Sequence, residues 1–150
     1  MGTTFVHAKP ERDAPGFWMR DGMLELWLRF LSLHIKEPTG SDSLEATIRD
    51  NWLLASRGYF NGCVPHRLDE AVSTEEGEGI VRDAIQSLLE ALKKGPSHVS
   101  SGTLNLMGFS GFFHGDIETQ RLINIGDAFL DLIDGKITEG AESTRFMPGS

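Results

Sequence analysis

Two groups of carboxylates are the residues whose spacing most suggests a binding function. The first is a run of five acidic residues within ten positions: Asp69, Glu70, Glu75, Glu76 and Glu78. The second recurs at spacings of four and three: Asp127, Asp131 and Asp134. On a helix the second group shares one face near the C-terminal end, where like charges repel and the helix dipole disfavours them. Both groups suit a basic protein surface, and both also suit a solvated face.

Cysteine and histidine positions offer weaker chemistry. Cys63 and His66 are three residues apart, a spacing that suits two metal ligands or a nucleophile with its base. Cys63 is the only cysteine, and the remaining histidines do not complete a ligand pattern. His114 and Asp116 suggest an acid–base pair, but Asp116 is expected to cap a helix instead. We therefore predict no catalytic residues, no metal and no cofactor, and we favour a protein that is not an enzyme.

The overall charge argues against two classes of partner. The formal net charge is -8, from 22 acidic and 14 basic residues, which repels phosphate backbones and anionic lipid surfaces. The longest apolar-rich stretch, residues 17–35, contains four charged residues that are costly in a bilayer. We expect no nucleic acid and no membrane as partner. A single cysteine and the lack of an apolar leader near the first residue favour a cytoplasmic protein.

The first two predicted helices follow from polar spacing and capping patterns. Polar residues recur every three or four positions from Trp18 to Lys36, which predicts a largely apolar helix that ends before Pro38. The stripe consists of Asp21, Glu25, Arg29, Ser32 and Lys36. Asp42 followed by Glu45 predicts the start of a second helix, and Gly58 is expected to end it in a left-handed conformation.

Two more helices are predicted further along the chain. Ser73 and Glu76 form a capping pattern before an apolar face that continues to Gly95. Asp116 is expected to cap the last helix, with Gly135 just beyond its end. Residues 97–115, rich in glycine and phenylalanine, could hold a short helix, a hairpin or an ordered loop. Their three phenylalanines are expected in the core: Phe109, Phe112 and Phe113.

These elements predict a mainly α fold, an irregular bundle of four to five helices. The predicted organisation is a flexible arm at 1–16, a single helical domain at 17–137 and a flexible tail at 138–150. The favoured function is an acidic cytoplasmic protein-binding domain, such as an inhibitor or immunity protein that neutralises a basic nuclease-like toxin. One alternative is a small enzyme or ligand-binding protein with a site near residues 61–66 and 97–115. Another is a structural or adaptor subunit that uses the Trp18–Lys36 helix as an oligomer face.

Overall fold

The computed structural model describes residues 2–37, 40–58 and 62–150. Within these ranges the chain has six helices and two small two-stranded sheets, and it is 48% helical. The strands are β1 (Thr3–His7), β2 (Gly16–Arg20), β3 (His98–Val99) and β4 (Ile117–Glu118). The helices are α1 (Asp21–Leu33), α2 (Leu44–Ala55), α3 (Leu68–Ala71), α4 (Glu75–Lys94), α5 (Ser101–Asn105) and α6 (Thr119–Ile133). The helical character agrees with the prediction, but the helices do not form a clear bundle.

The N-terminal residues form a hairpin rather than an arm without regular structure. β1 pairs antiparallel with β2, in a register that sets Phe5 opposite Trp18. Val6 on β1, and Phe17 and Met19 on β2, are fully buried, so each strand contributes side chains to the core. Residues 3–7 of the predicted arm therefore form a strand, in which the buried side chains of Thr4 and Val6 alternate with more exposed ones. The same alternation keeps residues 17–20 extended, and the first helix begins at Asp21 instead of Trp18.

The C-terminal residues also pack against the hairpin. The Gly16 and Trp18 backbone N–H groups donate to the carbonyls of Glu139 (2.9 Å) and Phe146 (3.2 Å). The Phe146 ring lies against Phe17, with centroids 5.7 Å apart. These contacts give residues 138–150 a defined path along β2, although this segment contains no helix or strand. The sequence suggested a flexible tail because its anchors are backbone groups and a single aromatic ring, which form no periodic pattern.

The helix ends follow the predicted chemistry with small shifts. Ser43 caps α2 and Thr74 caps α4, each one residue later than the predicted Asp42 and Ser73. Each side-chain oxygen accepts from the backbone N–H three residues further on, at 3.2 Å and 3.0 Å. α1 already ends at Leu33, and the expected stop signal, Pro38, lies outside the described residues.

The segment 97–115 contains strand β3, the short helix α5 and a loop. Asp116 does not cap α6, which begins at Thr119. Its carboxylate instead accepts from the Ser101 N–H at the start of α5, at 2.8 Å. Phe109 and Phe113 are partly buried, as expected for core residues, but Phe112 is 68% exposed. The prediction that all three phenylalanines lie in the core is therefore wrong for Phe112.

The core is built around α1, as its apolar circumference predicted. Trp27 and Phe17 both pack on Phe129 of α6, with ring centroids 5.7 Å and 5.6 Å away. Most of the apolar face of α1 is thus buried within this chain. Leu33, at the end of the helix, is a large apolar residue that stays exposed. In the described ranges, none of the helices combines the length and the apolar character that crossing a membrane requires.

Candidate functional site

The two groups of acidic residues meet at one groove, which we call the acidic groove. It has a volume of about 880 Å³ and lies between the hairpin turn, α3, the first turns of α4 and the end of α6. Four carboxylates line it: Asp69, Glu70, Glu78 and Asp134. Because the first three come from one group and Asp134 from the other, folding turns two separate sequence features into one negatively charged surface.

The walls of the acidic groove are largely apolar. Val72 follows α3, Leu132 and Ile133 end α6, and Ile137 lies just beyond it. Lys9, from the hairpin turn, is the cation among the described lining residues. An apolar wall beneath carboxylates suits a lysine or arginine side chain, since the aliphatic stem can lie on the wall while the cationic end stays near the acids.

Arg82 joins the two acidic groups beside the groove. Its Nη2 lies 2.6 Å from Asp134 Oδ1, and its Nε lies 3.3 Å from Glu78 Oε2. The hydrogen bond to Asp134, followed by the contact with Glu78, raises the pKa of the guanidinium further. Two of the four lining carboxylates are thus partly neutralised, and Glu70 has a longer, exposed contact with Arg67 at 3.7 Å. Within the described part of the chain, Asp69 forms no ion pair.

The other predicted acidic residues lie outside the groove lining. Glu75 and Glu76 are exposed in the first turn of α4, where the helix dipole stabilises carboxylates. Asp127 is exposed on α6, and Asp131 lies 4.0 Å from Lys136. The predicted stripe is therefore divided, with Asp134 at the groove and Asp127 and Asp131 along the helix beyond it.

His66 has a structural role within the fold. Its Nδ1 accepts from the Leu68 N–H at 2.9 Å, and its Nε2 then donates to the Phe5 carbonyl at 3.2 Å. The side chain is 5% exposed. Burial, followed by the nearby His7, lowers the pKa of His66 to about 4, so the imidazole is neutral at pH 7. A ring with both nitrogens engaged by the backbone is unavailable as a metal ligand or a base.

His114 does not join Cys63 and His66 in one site. Cys63 is exposed and lines a groove of about 540 Å³ together with His66. His114 lines a different groove, and Asn61, part of the predicted turn, lies outside the described residues. Over the residues described, no cluster of three histidine, cysteine or acidic side chains could hold a metal ion. The structure therefore separates the groups that the enzyme alternative would combine.

A second groove contains a residue that the sequence analysis did not select. We call it the α1 groove. It has a volume of about 560 Å³ and lies between the first turns of α1 and the loop at residues 109–117. Glu25 lines it and is only 9% exposed. The signal was present in the sequence, since Glu25 belongs to the narrow polar stripe of an otherwise apolar helix, but the stripe alone does not show which of its members is buried.

The Glu25 carboxylate lacks a cationic partner within the described residues. Burial, and then the negative charge of Asp21, raises its pKa, while a hydrogen bond with Ser110 acts in the opposite direction. Arg29 lies one turn along α1 but is engaged elsewhere. It donates to Ser56 Oγ at 2.7 Å and to the Met107 carbonyl, and its guanidinium lies 4.9 Å from the centre of the Phe109 ring.

Among the described residues, the charged side chains nearest Glu25 in the α1 groove form hydrogen bonds with other groups. Arg121, on the other side of the α1 groove, donates twice to the Gly149 carbonyl, at 2.7 Å and 3.0 Å. Asp21 accepts from the Thr4 hydroxyl at 2.7 Å. The exposed Arg20 also lines the groove, so three carboxylates, Asp21, Glu25 and Asp116, share it with two guanidinium groups.

Comparison with known proteins does not assign the chain to a family. No protein-family model, no curated protein and no solved structure matches it. The functional conclusions below therefore rest on the geometry and charge of the two grooves.

Proposed function

We propose that this chain is a cytoplasmic protein that binds a basic protein through its acidic groove, as an inhibitor or immunity protein for a nuclease-like toxin. The observation that supports the proposal is the meeting of two acidic groups, from α3–α4 and from the end of α6, above one apolar wall. A net charge of -8 would attract a basic partner before contact and raise the association rate. The groove would then provide the local complementarity that long-range attraction lacks.

The lining residues would act in different ways. Asp69 and Glu70 are the carboxylates with the least compensation, so they would bind the partner's ammonium or guanidinium groups. Glu78 and Asp134 are held by Arg82 and would contribute less free charge. The apolar walls would cover the stems of the partner's basic side chains.

A charge-reversal pair tests whether the groove binds basic segments. Glu70→Lys changes an exposed groove carboxylate, and Asp127→Lys changes an exposed carboxylate on α6 that does not line the groove. Both substitutions shift the net charge by the same amount. With a decalysine peptide as probe in stopped-flow and calorimetric titrations, Glu70→Lys should weaken binding about tenfold and Asp127→Lys about twofold at most. Equal effects of the two variants would mean that peptide binding depends only on the net charge of the protein, and would overturn the groove assignment.

The same proteins test the inhibitor function. A natural partner captured from source-cell lysate should be basic, should be retained by wild type and by Asp127→Lys, and should be lost with Glu70→Lys. If that partner is a nuclease, adding the wild-type chain should suppress its activity in proportion to binding. A captured partner that is acidic, or whose activity is unchanged when saturated with this chain, would contradict the inhibitor proposal.

The ligand-binding alternative is favoured by a separate observation, the buried carboxylate of Glu25 in the α1 groove. This groove includes residues of the glycine-rich segment but not Cys63 or His66.

A further inference from the structure

We propose that the α1 groove binds a small organic cation, a primary amine on an apolar body, with the Glu25 carboxylate as its counterion. This site is distinct from the acidic groove, shares no lining residue with it, and would be compatible with either function of that surface.

The size and lining of the α1 groove suit a small molecule. Its volume of about 560 Å³ falls in the range of known ligand sites, which combine apolar walls with a few polar groups that fix orientation. Phe109, Phe112 and Phe113 provide aromatic surface. The backbone on one side is the rigid first turns of α1, whose neighbouring residues Met23, Leu24 and Leu26 are anchored in the core.

The charge of the site selects a cation. The Glu25 carboxylate is only 9% exposed, and its hydrogen bond with Ser110 supplies no positive charge. Arg20 and Arg121 line the same groove, but among the described residues neither forms an ion pair with Glu25. A ligand ammonium group would supply the missing counter-charge. The negative charge of Asp21 beside Glu25 acts in the same direction, since it disfavours the carboxylate alone and favours a bound cation.

The aromatic residues select an apolar body attached to that cation. Phe112 is 68% exposed, unusual for a phenylalanine, and its ring lies 5.1 Å from the His114 ring at the edge of the groove. Burial of such a ring against an apolar ligand recovers the hydrophobic free energy that the free protein forgoes. An aromatic face also attracts a nearby ammonium group. A compact inorganic cation would use the carboxylate alone, so the proposed ligand class is an arylalkyl or alkyl amine.

The test uses 2-phenylethylamine as probe, with 2-phenylethanol as a neutral compound of the same shape. Wild-type chain, followed by backbone NMR and calorimetry, should bind the amine with a Kd of about 1 mM or lower and the alcohol at least about tenfold more weakly. Shifts should concentrate at residues 109–117 and the start of α1. Absence of binding at about 10 mM amine, equal binding of the alcohol, or shifts concentrated at the acidic groove would each overturn the proposal.

Two variants identify the counterion. Glu25→Gln keeps the shape of the side chain and should weaken amine binding about tenfold or more. Glu90→Gln, an exposed residue of α4 outside the groove, makes the same change in net charge and should leave the affinity unaltered. Phe112→Ala removes an exposed ring that the core does not need, and should weaken binding about threefold or more even if Glu25→Gln fails to fold. Unchanged affinity in a folded Glu25→Gln, or in Phe112→Ala, would contradict the proposed site.

Discussion

The Arg82 guanidinium contacts the Asp134 carboxylate at 2.6 Å and thereby ties α4 to the end of α6. The same guanidinium also contacts Glu78, so one cation compensates two of the acidic residues that line the acidic groove. Stability and partner binding consequently place opposite demands on Arg82. The contact that joins the helices also reduces the negative charge available to a basic partner.

Substituting Arg82 should separate these two effects. Arg82→Gln should lower the free energy of unfolding by about 0.5–1 kcal/mol, because the ion pairs are partly exposed. It should strengthen the binding of decalysine about two- to fivefold, because Glu78 and Asp134 lose their compensating charge. Urea denaturation and calorimetric titration measure the two quantities. Weaker peptide binding in a fully folded Arg82→Gln would show that Arg82 organises the groove rather than masking it.

His66 should make the fold sensitive to acid. Folding lowers the pKa of His66 from 6.5 to about 4. Between these pH values the imidazole is protonated in the unfolded chain and neutral in the folded chain. His66 therefore does not lower the free energy of unfolding above pH 6.5, but it lowers that free energy by roughly 3 kcal/mol as the pH falls to about 4. His66→Gln should be less stable at pH 7 but should lose less stability between pH 7 and pH 4.5.

The exposed His98 provides the control for this measurement. His98→Gln should keep the acid sensitivity of the wild type, since its imidazole is not buried. Urea titrations at several pH values compare the three proteins. If His66→Gln retained the wild-type slope, the acid sensitivity would come from the carboxylates instead.

Two glycines in the first turns of α4 should respond oppositely to alanine. A Cβ on Gly77 would overlap the backbone carbonyl oxygen of Ala71, at the end of α3, while a Cβ on Gly79 would meet nothing within 4 Å. Gly77→Ala should therefore cost about 1–3 kcal/mol or more, because backbone must move. Gly79→Ala should gain up to about 1 kcal/mol from helix propensity. Thermal and urea unfolding would measure both, and a stabilised Gly77→Ala would refute the close packing of α3 on α4.

The cap of α2 can be checked with adjacent substitutions. Ser43→Ala removes the side-chain oxygen that accepts from the Ala46 N–H and should cost about 1 kcal/mol. Asp42→Ala should cost less, because Asp42 is exposed and does not occupy the cap. A larger loss for Asp42→Ala in urea unfolding would restore the capping assignment that the sequence pattern suggested.

Local signals predicted much of the helical structure. The left-handed glycines expected after α2 and α6 are confirmed, with φ of +74° at Gly58 and +77° at Gly135. The caps of α2 and α4 were displaced by one residue, because neighbouring Asp–Ser and Ser–Thr pairs offer two similar oxygens and only the backbone path selects between them. Helix periodicity is encoded within a few residues, which is why it can be read directly.

Long-range contacts account for what the sequence could not predict. The β1–β2 hairpin depends on a turn with two prolines and on a C-terminal segment that packs beside it, neither of which leaves a periodic pattern. The acidic groove depends on Asp134 reaching residues of α3 and α4, and the charge pattern alone presented two separate groups. The polar stripe of α1 does not reveal that Glu25 is buried, because the residues that approach its carboxylate, Gly58 and Ser110, are distant in the sequence.

The hydrogen bonds from Gly16 and Trp18 to the C-terminal residues affect how copies of this chain meet one another. β1 pairs with one side of β2, and on the other side the Gly16 and Trp18 N–H groups donate to the carbonyls of Glu139 and Phe146. A strand with an open side is a template for pairing with the next molecule. Detachment of the last residues, by proteolysis or by a bulky fusion, would convert the hairpin into a self-association surface. We therefore expect the C-terminal segment to limit edge-to-edge association at β2, an effect that a measurement of folding stability alone would not detect.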